Sequence, residues 1–206
     1  MSIEVMIVDW PHVEAVPPGE REAALIDAAF GGEDDPYGAG DGQADEDEDG
    51  WLAPAAPGAG WSVRYSFRRT LDSYKPHFWA GERWERLREH TDPDLRTALD
   101  RFASRLFWTG LEDVPGQDTG LRSVPEGAWD AGLLVWCPPA ELAALAGWWR
   151  TVEPGLATLR EPFTRYAADR RGWIPDHDSF ADLLTGWGEV VTEAHRRGWG
   201  IVGLRC

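Results

Sequence analysis

The strongest fold signal in the chain is SFADLLTGWGEVVTEAHRRGWGIVGL, residues 179–204. In its first part apolar side chains recur at spacings of three and four residues, which predicts a long amphipathic helix. These side chains are Phe180, Leu183, Leu184, Trp187, Val190, Val191 and Ala194. Gly198 is suited to end the helix, and the apolar run 199–204 predicts a last buried strand. A strand that follows its helix so closely indicates α and β elements around one core.

Three further segments predict strands. Residues 2–9 are rich in β-branched side chains, and residues 132–136 form a short apolar run. Residues 61–68 alternate strictly between apolar and polar side chains. The alternation predicts that one set faces a core, namely Trp61, Val63, Tyr65 and Phe67. Arg64 and Arg68 are predicted to lie on the opposite, outward face.

Amphipathic helices are predicted between the strands, over 20–30, around 81–90, after Asp92-Pro93, after Pro138-Pro139 and from about 154 towards 166. Asp92 and Pro93 give the clearest start, because Asp is favoured as N-cap and Pro at the first helical position. A chain of 206 residues is long enough for one full core. We therefore expect a single α+β domain over residues 1–206, with a small mixed sheet of about four strands packed with amphipathic helices.

Residues 31–60 are predicted to be a flexible acidic insertion within this domain. The segment is rich in Gly and Pro, shows neither hydrophobic period, and holds nine carboxylates and no basic residue. The whole chain has a net charge of −16. Removing the nine from the 36 acidic residues leaves 27 against 20 basic residues, a net charge of −7. The remainder therefore still favours a basic protein partner.

The composition also excludes several classes of protein. An acidic chain repels phosphate backbones and anionic lipid, so neither nucleic acid nor a membrane surface is expected as a partner. No apolar run is long enough to span a bilayer, and residues 1–10 lack the basic start of a secretory signal. Cys137 and Cys206 have no metal-type spacing. We expect a soluble cytoplasmic protein without a cofactor or a bound metal.

Three runs of residues resemble the YfbM-like family of unknown function. They are LLVWCPPAE at 133–141, LREPF at 159–163, and the segment from Phe180 to Leu204. The resemblance is strongest over residues 132–206, and residues 99–110 are also similar. Because the family has no settled activity, the resemblance implies a mixed α and β fold and little about function.

Asp176, His177 and Asp178 form the one place where carboxylates and an imidazole gather, and such a group could run acid–base chemistry. One of the aspartates is expected to cap the following helix instead. His195 is predicted to lie about five turns further along that helix, roughly 25 Å from His177, so the two cannot share one metal ion. The cluster therefore leaves a hydrolase as one alternative function.

The chain has thirteen Trp, more than a core of this size needs. Trp148 lies off the apolar stripe of its predicted helix, and Trp129 and Trp173 lie in predicted loops. Interface centres are enriched in Trp and Arg, which makes these three candidate binding residues. Arg64 and Arg68 are added as the cations of a possible Trp-lined pocket.

The function that the sequence favours is a non-enzymatic protein-interaction module. It would bind a basic partner through acidic and Trp-bearing surfaces, as an immunity-type or regulatory protein does. Two alternatives stay open: a small-molecule-binding protein with a Trp-lined pocket, and a hydrolase using the Asp176–Asp178 cluster. The oligomeric state is not determined by the sequence.

Overall fold

The computed structural model describes residues 2–31, 50–52, 58–108 and 133–206. In this part of the chain one antiparallel sheet contains β1 (Ile3–Val8), β2 (Gly50–Leu52), β3 (Ser62–Ser66), β4 (Leu133–Cys137) and β5 (Gly200–Arg205). The strand order across the sheet is β2-β3-β1-β5-β4. The N-terminal strand thus lies at the centre, beside the C-terminal strand.

Seven helices surround the sheet in the described part of the chain. They are α1 (Trp10–Ala15), α2 (Arg21–Phe30), α3 (Lys75–Leu87), α4 (Pro93–Leu106), α5 (Pro139–Gly155), the single turn α6 (Arg160–Pro162) and α7 (His177–Arg197). The α+β class is therefore confirmed. None of these helices is long and apolar enough to cross a membrane.

The sheet differs from the prediction in two respects. It is antiparallel rather than mixed, and it has five strands rather than about four. The additional strand, β2, lies within residues 31–60, which were predicted to be a flexible acidic insertion. β2 pairs with β3, and Trp51 lies opposite Tyr65. A strand of three residues is too short to show an alternating pattern in the sequence, so it could not be predicted. Residues 32–49 and 53–57 of the predicted insertion lie outside the described residues.

Helices cover both faces of the sheet, which is why every residue of β1 is buried. Ile3, Val5 and Ile7 enter a large core formed with α3, α4, α5 and α7. Met6 and Val8 point the other way, into a smaller core formed with α1 and α2. Successive side chains of a strand point to opposite faces, so an entirely apolar strand indicates a sheet covered on both sides.

The predicted alternation of residues 61–68 is confirmed for three side chains and wrong for one. Val63, Tyr65 and Phe67 pack in the large core, whereas Trp61 packs against the smaller one. Trp61 precedes β3, so its side chain is not bound by the alternation of the strand.

One predicted helix start is confirmed and another is wrong. The Asp92 carboxylate accepts hydrogen bonds from the backbone N–H groups of Asp94 and Leu95, at 3.0 and 3.1 Å, as predicted for an N-cap. Helix α3 begins at Lys75 instead of near residue 81, because a proline at position 76 is compatible with the first turn.

Candidate functional site

An open groove of about 540 Å³ lies between α5, α7 and the edge strand β2. Its lining residues are Trp51, Trp149, Arg150, Glu153, Thr185, Gly188, Glu189, Thr192 and Glu193. We call this feature the α5–α7 groove. Its size falls within the range of about 300–1,000 Å³ that is usual for ligand sites.

Gly188 sets the floor of the groove. A Cβ atom at this position would overlap the indole of Trp149, so only glycine lets the Trp149 ring lie directly on α7. The indole is 5% exposed and also packs on Phe102, with ring centroids 5.3 Å apart. The close approach of α5 to α7 therefore fixes an apolar floor beneath the polar walls.

Trp51 forms the rim of the groove on the β2 side and is 38% exposed. Its ring meets Tyr65 edge-on at a centroid distance of 5.0 Å. The Tyr65 hydroxyl in turn donates a hydrogen bond to Glu189 Oε2 at 2.8 Å. This row of contacts holds an exposed indole beside a carboxylate whose position is fixed.

The three carboxylates of the groove differ in how far their charge is compensated. Arg196 and Arg197 donate to Glu193 at 2.6–2.7 Å and lower the pKa of that carboxyl to about 2. Glu189 receives a hydrogen bond from the neutral hydroxyl of Tyr65. Glu153 has no hydrogen bond or ion pair within the part of the chain that the structure describes. Two of the three negative charges are thus available to a ligand.

Arg150 is the cation that lines the groove, and its Nε donates to the Ala146 carbonyl of the same helix at 3.3 Å. The side chain is therefore directed along its own helix instead of being paired with a groove carboxylate. With Arg150 counted, the groove keeps an excess of negative charge from Glu153 and Glu189.

The predicted binding tryptophans occupy different environments. Trp148 is half-buried against the large core, with the Arg101 guanidinium 5.9 Å from its ring centroid. Trp173 is half-buried in the segment that joins Ala167 to α7. Trp129 lies outside the described residues. Neither Trp148 nor Trp173 lines the α5–α7 groove.

A buried arginine holds the segment that carries Trp173. Arg83 of α3 donates to the carbonyls of Ile174 at 3.0 Å and Arg171 at 3.2 Å, and its guanidinium lies 4.9 Å from the Trp79 ring centroid. Burial lowers the pKa of Arg83, and carbonyl acceptors replace part of the lost hydration. The segment is thereby fixed to α3.

Arg64 faces away from the large core, as predicted, but it is not directed freely into solvent. Its Nε lies 2.7 Å from Glu4 Oε1, and its guanidinium is 5.3 Å from the Phe30 ring centroid. Burial raises the pKa of Glu4 while the contact with Arg64 opposes that shift. Arg68 follows β3 and is exposed. Neither arginine lines the α5–α7 groove.

The carboxylates of the groove are not among the binding residues predicted from the sequence. A signal for them exists on α7, where Thr185, Gly188, Glu189 and Thr192 stand at positions i, i+3, i+4 and i+7 and therefore share one face of the helix. This stripe of small and polar residues lies beside the apolar stripe of the helix. Whether this stripe forms a binding surface depends on which element packs against it, and the helical period does not reveal that element.

Each member of the Asp176–Asp178 cluster has a structural partner. Asp176 caps α7 by accepting from the backbone N–H and the hydroxyl of Ser179, at 2.9 and 2.8 Å. His177 is buried, with Nε2 2.9 Å from the Leu156 carbonyl oxygen. Asp178 pairs with Arg160 at 2.6 Å. These bonds lower the pKa of both carboxyls, so both aspartates are ionised at neutral pH.

A helix-capping role for Asp176 predicts a small, specific effect on stability. Asp176→Ala is expected to lower the free energy of unfolding by about 1 kcal/mol, whereas Asp176→Asn keeps an acceptor oxygen and should cost much less. The contribution is complete above about pH 4 and is lost as the pH falls through the lowered pKa of the folded state. Denaturant unfolding of both variants from pH 7 to pH 3 measures it. An alanine variant as stable as wild type at pH 7 would contradict the assignment.

Compared with models of protein families, with curated proteins and with solved structures, the chain has no match. The resemblance to the YfbM-like family therefore stays a prediction. Within the described residues, no group of three or more His, Cys, Asp and Glu side chains is placed to hold a metal ion.

Proposed function

We propose that the protein is a non-enzymatic interaction module that binds a basic partner protein, with the α5–α7 groove at the centre of the contact. The observation that carries the proposal is Trp51, an exposed indole fixed beside Glu189 in a groove that also contains Glu153, which has no ion pair among the described residues. Immunity-type or regulatory binding is the finer form of the same proposal.

The chemistry of the groove suits an arginine or lysine side chain. A cation over the face of an indole gains about 0.5–2 kcal/mol, and more as the site is desolvated. Glu153 and Glu189 supply the opposite charge, and the Trp149 floor suits the aliphatic part of a long basic side chain. The net charge of −16 adds long-range attraction, which speeds encounter with a basic protein.

The two alternatives from the sequence have weaker support. Within the described residues, Asp176, His177 and Asp178 are each held by a structural contact, and neither carboxyl has the raised pKa of a general acid. The Trp-lined pocket was expected beside Arg64 and Arg68, and Arg64 is already paired with Glu4.

The first test compares short peptides on the intact protein. An arginine-rich peptide and a glutamate-rich peptide of equal length are titrated by calorimetry at low and high salt. We expect binding of the arginine-rich peptide only, and an affinity that falls as salt rises, because screening weakens exposed charge pairs.

Matched variants separate the groove from non-specific attraction to an acidic chain. Trp51→Ala changes no charge and is expected to lower the affinity about tenfold, mainly through faster dissociation. Glu153→Gln and Glu161→Gln remove the same charge, but the second lies on α6, outside the groove residues. Only Glu153→Gln should weaken binding clearly. Equal affinities for wild type, Trp51→Ala and Glu153→Gln would contradict a groove-centred contact.

A further inference from the structure

A second, smaller cavity of about 180 Å³ lies against α3, separate from the α5–α7 groove. Its lining residues are Tyr74, Phe78, Gly81, Glu82, Glu85, Phe107 and Trp108. We call it the α3 pocket. Phe78, Gly81, Glu82 and Glu85 share one face of α3, and Tyr74 lies at the N-cap of the same helix.

The end of α4 supplies the opposite wall. The backbone N–H groups of Phe107 and Trp108 both bond to the Ala103 carbonyl, each at 2.9 Å. The Trp108 indole N–H donates to Glu85 Oε1 at 2.7 Å, which ties this wall to α3. A Cβ atom on Gly81 would come within 3.1 Å of the Trp108 ring, so glycine permits the close approach. The walls of the pocket are thus held by packing and hydrogen bonds before any ligand arrives.

The lining combines four aromatic rings with two carboxylates. Phe78 is 52% exposed and leaves ring surface available at the mouth of the pocket. Glu85 is fixed by Trp108, and Glu82 makes a loose contact of 4.0 Å with Arg86. Aromatic faces and carboxylates both attract positive charge, so a cation fits this lining better than an anion or a neutral sugar.

The size and polarity of the pocket indicate which kind of cation would fit it. A volume of about 180 Å³ is below the range of about 300–1,000 Å³ for drug-sized ligands, so the occupant is a small head group. An unmethylated ammonium brings three N–H donors that aromatic rings satisfy poorly, and their desolvation is costly. A methylated ammonium keeps the charge and has no such donors.

We propose that the α3 pocket binds a methylated ammonium head group, as carried by choline-type compounds or by a trimethylated lysine. The rings of Phe78 and Tyr74 contact the methyl groups, and Glu82 and Glu85 balance the charge. Trp108 is 4% exposed and already has the Arg88 guanidinium 5.5 Å from its ring centroid, so it forms the back of the pocket. The proposal is independent of the α5–α7 groove, because the two sites share no lining residue.

The test uses the intact protein with choline and two analogues, followed by calorimetry or ligand-observed nuclear magnetic resonance. The analogues are the neutral tert-butyl isostere of choline, which keeps the shape, and ethanolamine, which keeps the charge without methyl groups. We expect choline to bind at least about tenfold more tightly than either. Equal binding of the neutral isostere would overturn the charge requirement, and equal binding of ethanolamine would overturn the preference for methyl groups.

Peptides with trimethylated or unmodified lysine distinguish the two sources of the head group. Tighter binding of the trimethylated peptide than of choline indicates that the head group is carried by a protein. Tighter binding of choline indicates a free small molecule. Either result supports the proposal. Absence of measurable binding for choline and for the trimethylated peptide at millimolar concentration would overturn it.

Variants locate any binding that is found. Phe78→Ala and Glu82→Gln are expected to weaken choline binding about tenfold without loss of folding, because both side chains are at least partly exposed. Phe30→Ala and Glu161→Gln are the matched controls on α2 and α6, and they should leave choline binding unchanged. Unchanged binding in Phe78→Ala and Glu82→Gln would overturn the location.

Discussion

Trp187→Ala is expected to lower the free energy of unfolding by about 3–5 kcal/mol, because it opens a cavity in the centre of the large core. The Trp187 side chain is fully buried, and its ring centroid lies 4.9 Å from that of Phe67. The indole N–H also donates to His77 Nδ1 at 3.2 Å. Burial lowers the pKa of His77 to about 3, so its imidazole is neutral at pH 7 and accepts this hydrogen bond. In Trp187→Ala the buried Nδ1 of His77 loses its donor. Denaturant unfolding at neutral pH measures the change.

Two further variants serve as comparisons for Trp187→Ala. Trp187→Phe keeps most of the ring contacts and removes the hydrogen bond to His77, so an intermediate loss of stability is expected. Trp148→Ala should cost clearly less than Trp187→Ala, since Trp148 is only half-buried. A greater loss for Trp148→Ala would show that the large core is centred on the other face of α5.

Gly188→Ala is expected to destabilise the protein by about 2–3 kcal/mol, although alanine is the better helix former. The added Cβ would overlap the Trp149 ring, and a close-packed interface can relax only by moving α5 or the indole. Gly147→Ala on α5 is the control, because the nearest side-chain atom lies 3.8 Å from the added Cβ. This control should raise stability by about 0.5–1 kcal/mol.

A double-mutant cycle isolates the overlap with Trp149. Trp149→Leu removes the ring atoms that the new Cβ would meet, so Gly188→Ala should cost much less in that background. The same loss in both backgrounds would show that Gly188 is required for another reason. Gly188 and Trp149 also form the floor of the α5–α7 groove, so Gly188→Ala is expected to weaken the binding of basic peptides.

The acidic composition contributes in different ways to the two proposed sites. In the α5–α7 groove, negative charge adjoins one exposed indole and an open surface, which suits a segment of a protein. In the α3 pocket, the carboxylates stand at the edge of four rings in a small volume, which suits a head group. The peptide and choline experiments therefore succeed or fail separately.

Elements whose signal is local could be predicted from the sequence alone. The period of α7, the N-cap of α4 and the apolar run of β1 each arise from residues that are neighbours in the chain, so spacing and residue type are sufficient to predict them. The composition likewise determined the negative charge. The α+β class followed, because these elements can bury their apolar faces only against one another.

Which polar residues meet depends on how the elements pack in three dimensions. The strand β2, the pairing of Arg64 with Glu4 and the contact of Tyr65 with Glu189 join residues far apart in sequence, up to 124 positions for the last. The same is true of Trp51, which reaches the α5–α7 groove through the register of β2 on β3. A helical or strand period tells which face of an element is apolar, but not which element will cover it. Contacts between elements depend on chain-wide packing, and for that reason neither proposed binding site could be recognised from the sequence.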